Sequence, residues 1–191
     1  VLLQSPNLAK VYAAEHAQMW AGKFHGQKTN VAKEQLPAAP NDVVLEAYFS
    51  PTDPVVDNGI LPLVDGAQKS IHLQLFHFSD AKIGAALVAA KQRGVDVQLI
   101  IDATGAANSA TAKNIELLRA AGIPVKVENW GGKQHMKGGV IDGTHAIIGS
   151  TNWTASGAQK NDENCLIVKN HADLGQAMEA QFAHSFGALP R

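Results

Sequence analysis

A single cysteine, Cys165, among 191 residues excludes an internal disulfide and any cysteine-based zinc site. Its neighbours Leu166, Ile167 and Val168 predict an inert, buried thiol. No apolar run approaches the roughly 18 residues that a membrane-spanning helix requires, so no transmembrane segment is expected. An excess of either charge is also missing: 16 Lys and Arg face 17 Asp and Glu, for a formal net charge of −1. That balance speaks against broad, charge-driven binding of nucleic acid while allowing a local basic patch. Charged residues make up only 17% of the chain and apolar ones 46%, the proportions of a globular domain with a sizeable core. The chain begins at Val1 with neither a methionine nor a signal-like segment. Such a start fits a processed chain or a fragment, and a secreted or periplasmic protein is favoured over a cytoplasmic one.

What is present alternates between two periodicities. Ser5-Pro6-Asn7 is a helix start, with a short strand expected before it over 1–4. Leu8, Val11, Tyr12 and Met19 form the helical stripe behind it. Residues 26–42 are polar, carry two prolines and read as a linker. A strand is expected over 43–50. Ile71, Leu73 and Leu75 alternate with His72, Gln74 and Phe76 as a second strand, and 95–102 alternates as a third. Between them Ile83, Leu87 and Ala90 form a helical stripe ending at Gly94. Ile115, Leu118 and Ala121 form another, stopped by Gly122 and Pro124. This order predicts an α/β fold, a mixed, largely parallel β-sheet sandwiched between helices. Asp142-Gly143-Thr144 between two apolar runs predicts a hairpin, and so one antiparallel pair. The two ends of the chain are alike: residues 7–14 align without gaps on 173–180. We therefore expect residues 1–25 to be the tail of a preceding, equivalent domain, 26–42 a linker and 43–191 the main domain.

The densest chemistry lies in His135-Met136-Lys137, with Asp142 five residues on, followed by Gly149-Ser150-Thr151-Asn152. In a strand, residues two apart share a face, so His135 and Lys137 should enter one cavity while Met136 turns to the core. Imidazole serves as nucleophile or general acid–base near neutral pH. The lysine ammonium suits a phosphate oxygen. Gly149 lets the backbone come close, and Ser150 and Asn152 add hydrogen-bond donors. Donors and cations placed in advance stabilise the anionic transition state of a phosphodiester. Lys137, Ser150 and Asn152 are therefore the candidate phosphate-binding residues. Asp142 sits in a turn that favours aspartate for backbone reasons, yet belongs to the spaced pattern. A reactive histidine needs an acceptor on its other ring nitrogen. Asp162 and Glu163, downstream of the motif, are the acidic candidates for this, and His77 at a strand end is a further residue able to line the cavity.

The spacing H-x-K-x4-D-x6-G-S-x-N resembles the HKD motif of the phospholipase D superfamily. Tyr48-Phe49-Ser50-Pro51, residues 67–71, residues 93–97 and Asn152-Trp153-Thr154 extend the likeness from about residue 43 to the end. These segments are similar to bacterial phospholipase D-like proteins and related endonucleases. The resemblance implies a phospholipase D-like fold and a phosphodiesterase with catalytic residues His135, Lys137, Asp142 and Glu163. It implies a phosphohistidine intermediate, no metal and no cofactor. It also implies two motifs per active site, whereas this chain holds one. The second half would come from a cleaved N-terminal part or from a homodimer mate. The expected substrate is a phospholipid or other phosphodiester. Alternatives are a metal-independent nuclease acting on nucleic acid, and a catalytically silent half used for assembly.

Overall fold

The structure, a computed structural model, describes residues 3–31 and 42–190. Strands β1 (Val44–Ser50), β2 (Ser70–Leu75), β3 (Asp96–Ile101), β4 (Val125–Val127), β5 (Lys137–Ile141), β6 (His145–Gly149) and β7 (Glu163–Lys169) form one sheet in the order β1-β7-β6-β5-β2-β3-β4. Helices α1 (Pro6–Trp20), α2 (Leu61–Gly66), α3 (Ala81–Gln92), α4 (Ala103–Ala106), α5 (Ser109–Ala120), α6 (Ala155–Gln159) and α7 (Ala172–Ala188) complete the described elements, with a π-helical turn, Val56–Ile60, leading into α2.

Alternation along the strands builds the two covering layers. Ile71, Leu73 and Leu75 of β2, Val97, Leu99 and Ile101 of β3, Ile141, Ile147 and Ile167 pack on one face against Ile83 and Leu87 of α3 and Ile115 and Leu118 of α5. The opposite face carries Ala47, Phe49, Ala146, Leu166 and Val168, covered by Leu8 and Val11 of α1. Farther along that face Ile100 meets Phe182 of α7. Cys165 is buried in the first cluster, and burial pushes its thiol up to about 12. No helix among the described residues is long and apolar enough to cross a membrane.

The sheet is mixed and lies between helices, as the residues suggest, but its parallel part is smaller than expected. Only β2–β3 and β3–β4 run parallel. The pairs β1–β7, β7–β6, β6–β5 and β5–β2 are all antiparallel. Helical crossovers through α3 and α5 make the parallel pairs. The hairpin at 142–144 and the return of β7 to the far edge make the rest.

The N-terminal segment also departs from expectation. The helix start is as read: Pro6 opens α1 and Ser5 Oγ accepts the Leu8 N–H at 3.2 Å. No strand precedes it at Leu3 and Gln4, and residues 1 and 2 lie outside the described residues. α1 packs into this domain's own second layer. The Lys28 side chain is fully buried between Glu15 of α1 and Asp162 just before β7, and it donates to the Ser50 carbonyl at 3.2 Å. Burial disfavours its charge, but the two carboxylates outweigh that and raise its pKa. Residues 32–41, the greater part of the expected linker, lie outside the described residues.

Candidate active site

Register brings the motif residues to one end of the sheet. Lys137 opens β5 opposite Leu75, the last residue of β2. Gly149 ends β6 opposite Cys165, and Glu163 opens β7 opposite Ser50. The close approach at this end depends on glycine: a Cβ on Gly149 would sit 2.2 Å from the Asn164 carbonyl oxygen.

Here His135 is exposed, and its ring stands edge-on to Phe76 at 4.7 Å between centroids. The Phe76 N–H donates to the Met136 carbonyl at 2.9 Å, which extends the β2–β5 pairing up to the motif. Lys137 is only 8% exposed; its Nζ donates to the His135 carbonyl at 2.7 Å and lies 5.1 Å from the Phe76 centroid. Burial pulls the Lys137 pKa below the ordinary lysine range, with the Glu163 and Asp102 carboxylates acting the other way. The imidazole and the ammonium therefore share one aromatic wall. Met136 is 36% exposed instead of entering the core, because β5 begins only at Lys137 and residue 136 is not yet in the pleat.

Asn152 follows β6 at the same end of the sheet, on a segment bound to the stretch just after β2. The Trp153 N–H donates to the His77 carbonyl at 3.2 Å, and the Ser79 and Asp80 N–H groups each donate to the Trp153 carbonyl at 3.0 Å. Asn152 Oδ1 is buried without a hydrogen-bond partner among the described residues. An acceptor that is desolvated but not satisfied is the kind of group that a hydrogen-bond donor of a ligand completes. Ser150 Oγ accepts from the Asn164 N–H at 3.1 Å and the Asn164 Nδ2 at 3.3 Å, so it holds the turn into β7.

The acidic candidates separate. Asp162 is engaged by Lys28 and by the His25 N–H at 2.9 Å. Glu163 accepts from Asn161 Nδ2 at 3.1 Å and acts on Lys137 through its charge; no hydrogen bond joins it to His135 among the described residues. Asp142 is not brought to the site. It sits in the hairpin at the opposite end of β5, with φ of 54°. Its carboxylate accepts the N–H groups of Gln68 at 3.0 Å, Lys69 at 2.7 Å and Ser70 at 3.0 Å. Burial would raise its pKa, but these three donors outweigh that and hold it below the usual carboxylate range. The catalytic assignment expected for Asp142 is thus replaced by a structural one: it ties the hairpin to the start of β2.

Several residues of the site escaped the sequence. Phe76 meets not only His135 but also His77, edge-on at 4.2 Å, and the Lys133 ammonium at 5.2 Å. Asp102, fully buried at the end of β3, accepts the Gln134 N–H at 3.0 Å, while Gln134 Nε2 donates to Gln74 Oε1. This bracket fixes the backbone just before His135. The available signal was Asp102 itself, a carboxylate closing a run of apolar strand residues, which must find internal donors.

Comparison with known proteins agrees with this geometry. Residues 60–186 match the family described as "Cardiolipin synthase, PLD-like domain". The mitochondrial cardiolipin hydrolase of Xenopus tropicalis is 39% identical over 123 residues, covering 64% of this chain and 57% of that protein. The phospholipase D of Rickettsia felis is 36% identical over 107 residues, covering 56% of this chain and 52% of that one. The chain spans about half the length of the curated relatives it matches. The name of the first relative places that protein in mitochondria and lends nothing to a secreted or periplasmic location for this chain. Among solved structures, the phospholipase D family member Nuc from Salmonella typhimurium superimposes with a TM-score of 0.72 at 28% identity, covering 78% of this chain and 97% of that one. The family match spans more than half of the chain and contains His135, Lys137 and Asn152, so this protein belongs to the phospholipase D superfamily, in its cardiolipin synthase-type PLD-like domain family.

Proposed function

We propose that this chain is one half of a phosphodiesterase that hydrolyses a phospholipid diester through a phosphohistidine. The observation that carries the reading is the placing of the His135 imidazole and the Lys137 ammonium against the ring of Phe76, at the end of the sheet where Asn152 also lies. Lys137 and the Nδ2 group of Asn152 donate to the non-bridging oxygens and stabilise the charge that grows on them. One imidazole attacks phosphorus, and the bond to the leaving alcohol breaks. A second imidazole gives that alcohol its proton. The second imidazole then takes a proton from water as the water attacks the phosphohistidine. The phosphomonoester departs and both histidines return to their starting states. The second His-x-Lys set comes from another copy of this chain or from another segment of the same protein, and Glu163 completes the electrostatics around Lys137.

An apolar rim supports a lipid substrate. Trp20 is 84% exposed and Phe24 45% exposed, on the segment that meets Asp162 through His25. Met136 is exposed next to His135. A cleft of about 460 Å³ lined by Tyr12, Met19 and Phe49 runs to Glu163 and Asn164. The nuclease reading draws on a different observation, an aromatic ring flanked by two ammonium groups, which suits a stacked, single-stranded nucleic acid. Turnover of phosphatidylcholine vesicles and of single-stranded DNA, measured side by side in chelator, tests the proposal. Lipid hydrolysis is expected. DNA cleavage without lipid turnover would overturn it in favour of the nuclease.

A further inference from the structure

The short stretch 161–164 carries Glu163, and the N-terminal segment grips it on both sides of that residue. On one side Asp162 is held by the Lys28 ammonium at 2.8 Å, by the His25 N–H at 2.9 Å and by His25 Nδ1 at 2.9 Å. On the other, the Tyr12 hydroxyl of α1 donates to Asn164 Oδ1 at 3.3 Å. Glu163 lies between these two anchors, and its charge acts on the Lys137 ammonium. Tyr12, Glu15 and Glu163 line the same cleft of about 460 Å³, so α1 forms one wall of the space beside Glu163.

Lys28 is the centre of this grip. Its side chain has no exposed surface and meets Glu15 of α1, Asp162 and the Ser50 carbonyl. Ser50 in turn pairs with Glu163 in the β1–β7 register. The Ser50 Oγ donates to the Asn161 carbonyl at 3.1 Å and to the Gly157 carbonyl at 2.8 Å. One ammonium thus ties together α1, the end of β1 and the residue that precedes Glu163. Such a buried ion pair is costly to desolvate and is a weak source of stability; its attested use is to fix which groups meet. Glu15, His25 and Lys28 all lie ahead of residues 60–186, the stretch that matches the family.

Resting on the phosphodiesterase reading of the His135 site, we infer that Lys28 is a positioning residue for the reaction: through Asp162 it holds the Glu163 carboxylate where that charge supports Lys137. Lys28 is buried, so it acts through Glu163 and not on the substrate. Release of Asp162 lets the 161–163 backbone shift and carries Glu163 with it. The contacts of His135 and Lys137 with Phe76 belong to β2 and β5 and do not depend on this stretch. A misplacement of about 1 Å in a charged group of a site is enough to slow the chemistry strongly.

The test is a double-mutant cycle on the kcat for bis(4-nitrophenyl) phosphate, a soluble diester that does not depend on the lipid reading. The proteins are measured in their complete assembly, with folding checked by circular dichroism. Lys28→Met should lower kcat about tenfold with KM nearly unchanged. Glu163→Gln should lower kcat by a similar factor. Adding Lys28→Met to Glu163→Gln should cost less than about twofold more, because both residues act along one path. Asp162→Asn keeps the side-chain shape and removes the anion that Lys28 holds. It should behave as Lys28→Met does in both backgrounds, and it decides the matter if Lys28→Met does not fold. Losses that multiply in the double variants would overturn the proposal, making Lys28 a residue of the fold alone and leaving the phosphodiesterase reading intact. A Glu163→Gln or Asp162→Asn protein with wild-type kcat would overturn it in the same way. A wild-type assembly that does not cleave the diester would overturn both.

Discussion

The ring of Phe76 stands edge-on to His135 and His77 and lies beneath the ammonium groups of Lys137 and Lys133. The His135 imidazole has no hydrogen bond within the described residues, so this aromatic wall is what orients it in the isolated half. Phe76→Ala should lower kcat by about tenfold, equivalent to the one to two kcal/mol of such contacts, with a smaller effect on KM. Phe76→Tyr should retain most of the activity; equal losses in both variants would show that the ring's face is not what matters. Asp142 makes the opposite case. Asp142→Ala should destabilise the fold by about 2 kcal/mol, the cost of leaving backbone donors without their charged acceptor, and denaturant titration would measure it. The kcat of the folded fraction should be unchanged, and a large fall in kcat would return Asp142 to the catalytic set. His135, Lys137 and Asn152 come to one end of the sheet because the spacing sets the first two around the start of β5 and the third just past the end of β6. Asp142 was misread because a spaced motif does not say which end of a strand each member occupies. Phe76 and Lys133 were invisible because their contacts depend on the β2–β5 register, which no local pattern states.

Elements divide in the same way. Strands and helices with clean periodicity were readable, including the Asp142-Gly143-Thr144 hairpin and the Ser5-Pro6 helix start. Strand order was not, since β-α-β succession reports only the local crossovers, and the antiparallel arrangement of β5, β6, β7 and β1 arises from pairing over long sequence distances. The docking of α7 is set by similarly remote partners. His72 of β2 stacks on Phe182 at 4.8 Å with an interplanar angle of 5°, places Nδ1 2.5 Å from Glu179, and has Nε2 3.2 Å from Asp96. Burial works against its charge, but Glu179 and then Asp96 outweigh that and raise its pKa above 6.5. The folded protein therefore holds the His72 proton more tightly than the unfolded chain does. The stability this adds is complete below pH about 6.5 and is lost as pH rises through the raised folded-state value. Thermal melts of wild type and His72→Phe should show their largest Tm difference on the acid side of neutrality, shrinking as the pH is raised. A difference independent of pH would mean that the ion pairs contribute nothing beyond ring packing.

At the scale of the whole molecule, the α/β sandwich presents His135, Lys137 and Asn152 at one end of its sheet. α1 is held down by Lys28, and the end of the sheet that carries the motif exposes His135. Such a half makes chemical sense when a second imidazole faces it, because attack on phosphorus and protonation of the leaving alcohol require two groups acting in one step. The composition was informative here mainly by exclusion, since neither charge nor cysteine content pointed to a partner; the single motif did. The most direct measurement is the kcat of His135→Ala in the complete assembly, on phosphatidylcholine vesicles in chelator, with the fold verified by circular dichroism. A fall of about 10³-fold or more is expected for loss of a histidine acting at phosphorus. A correctly folded His135→Ala protein with kcat close to wild type would contradict it.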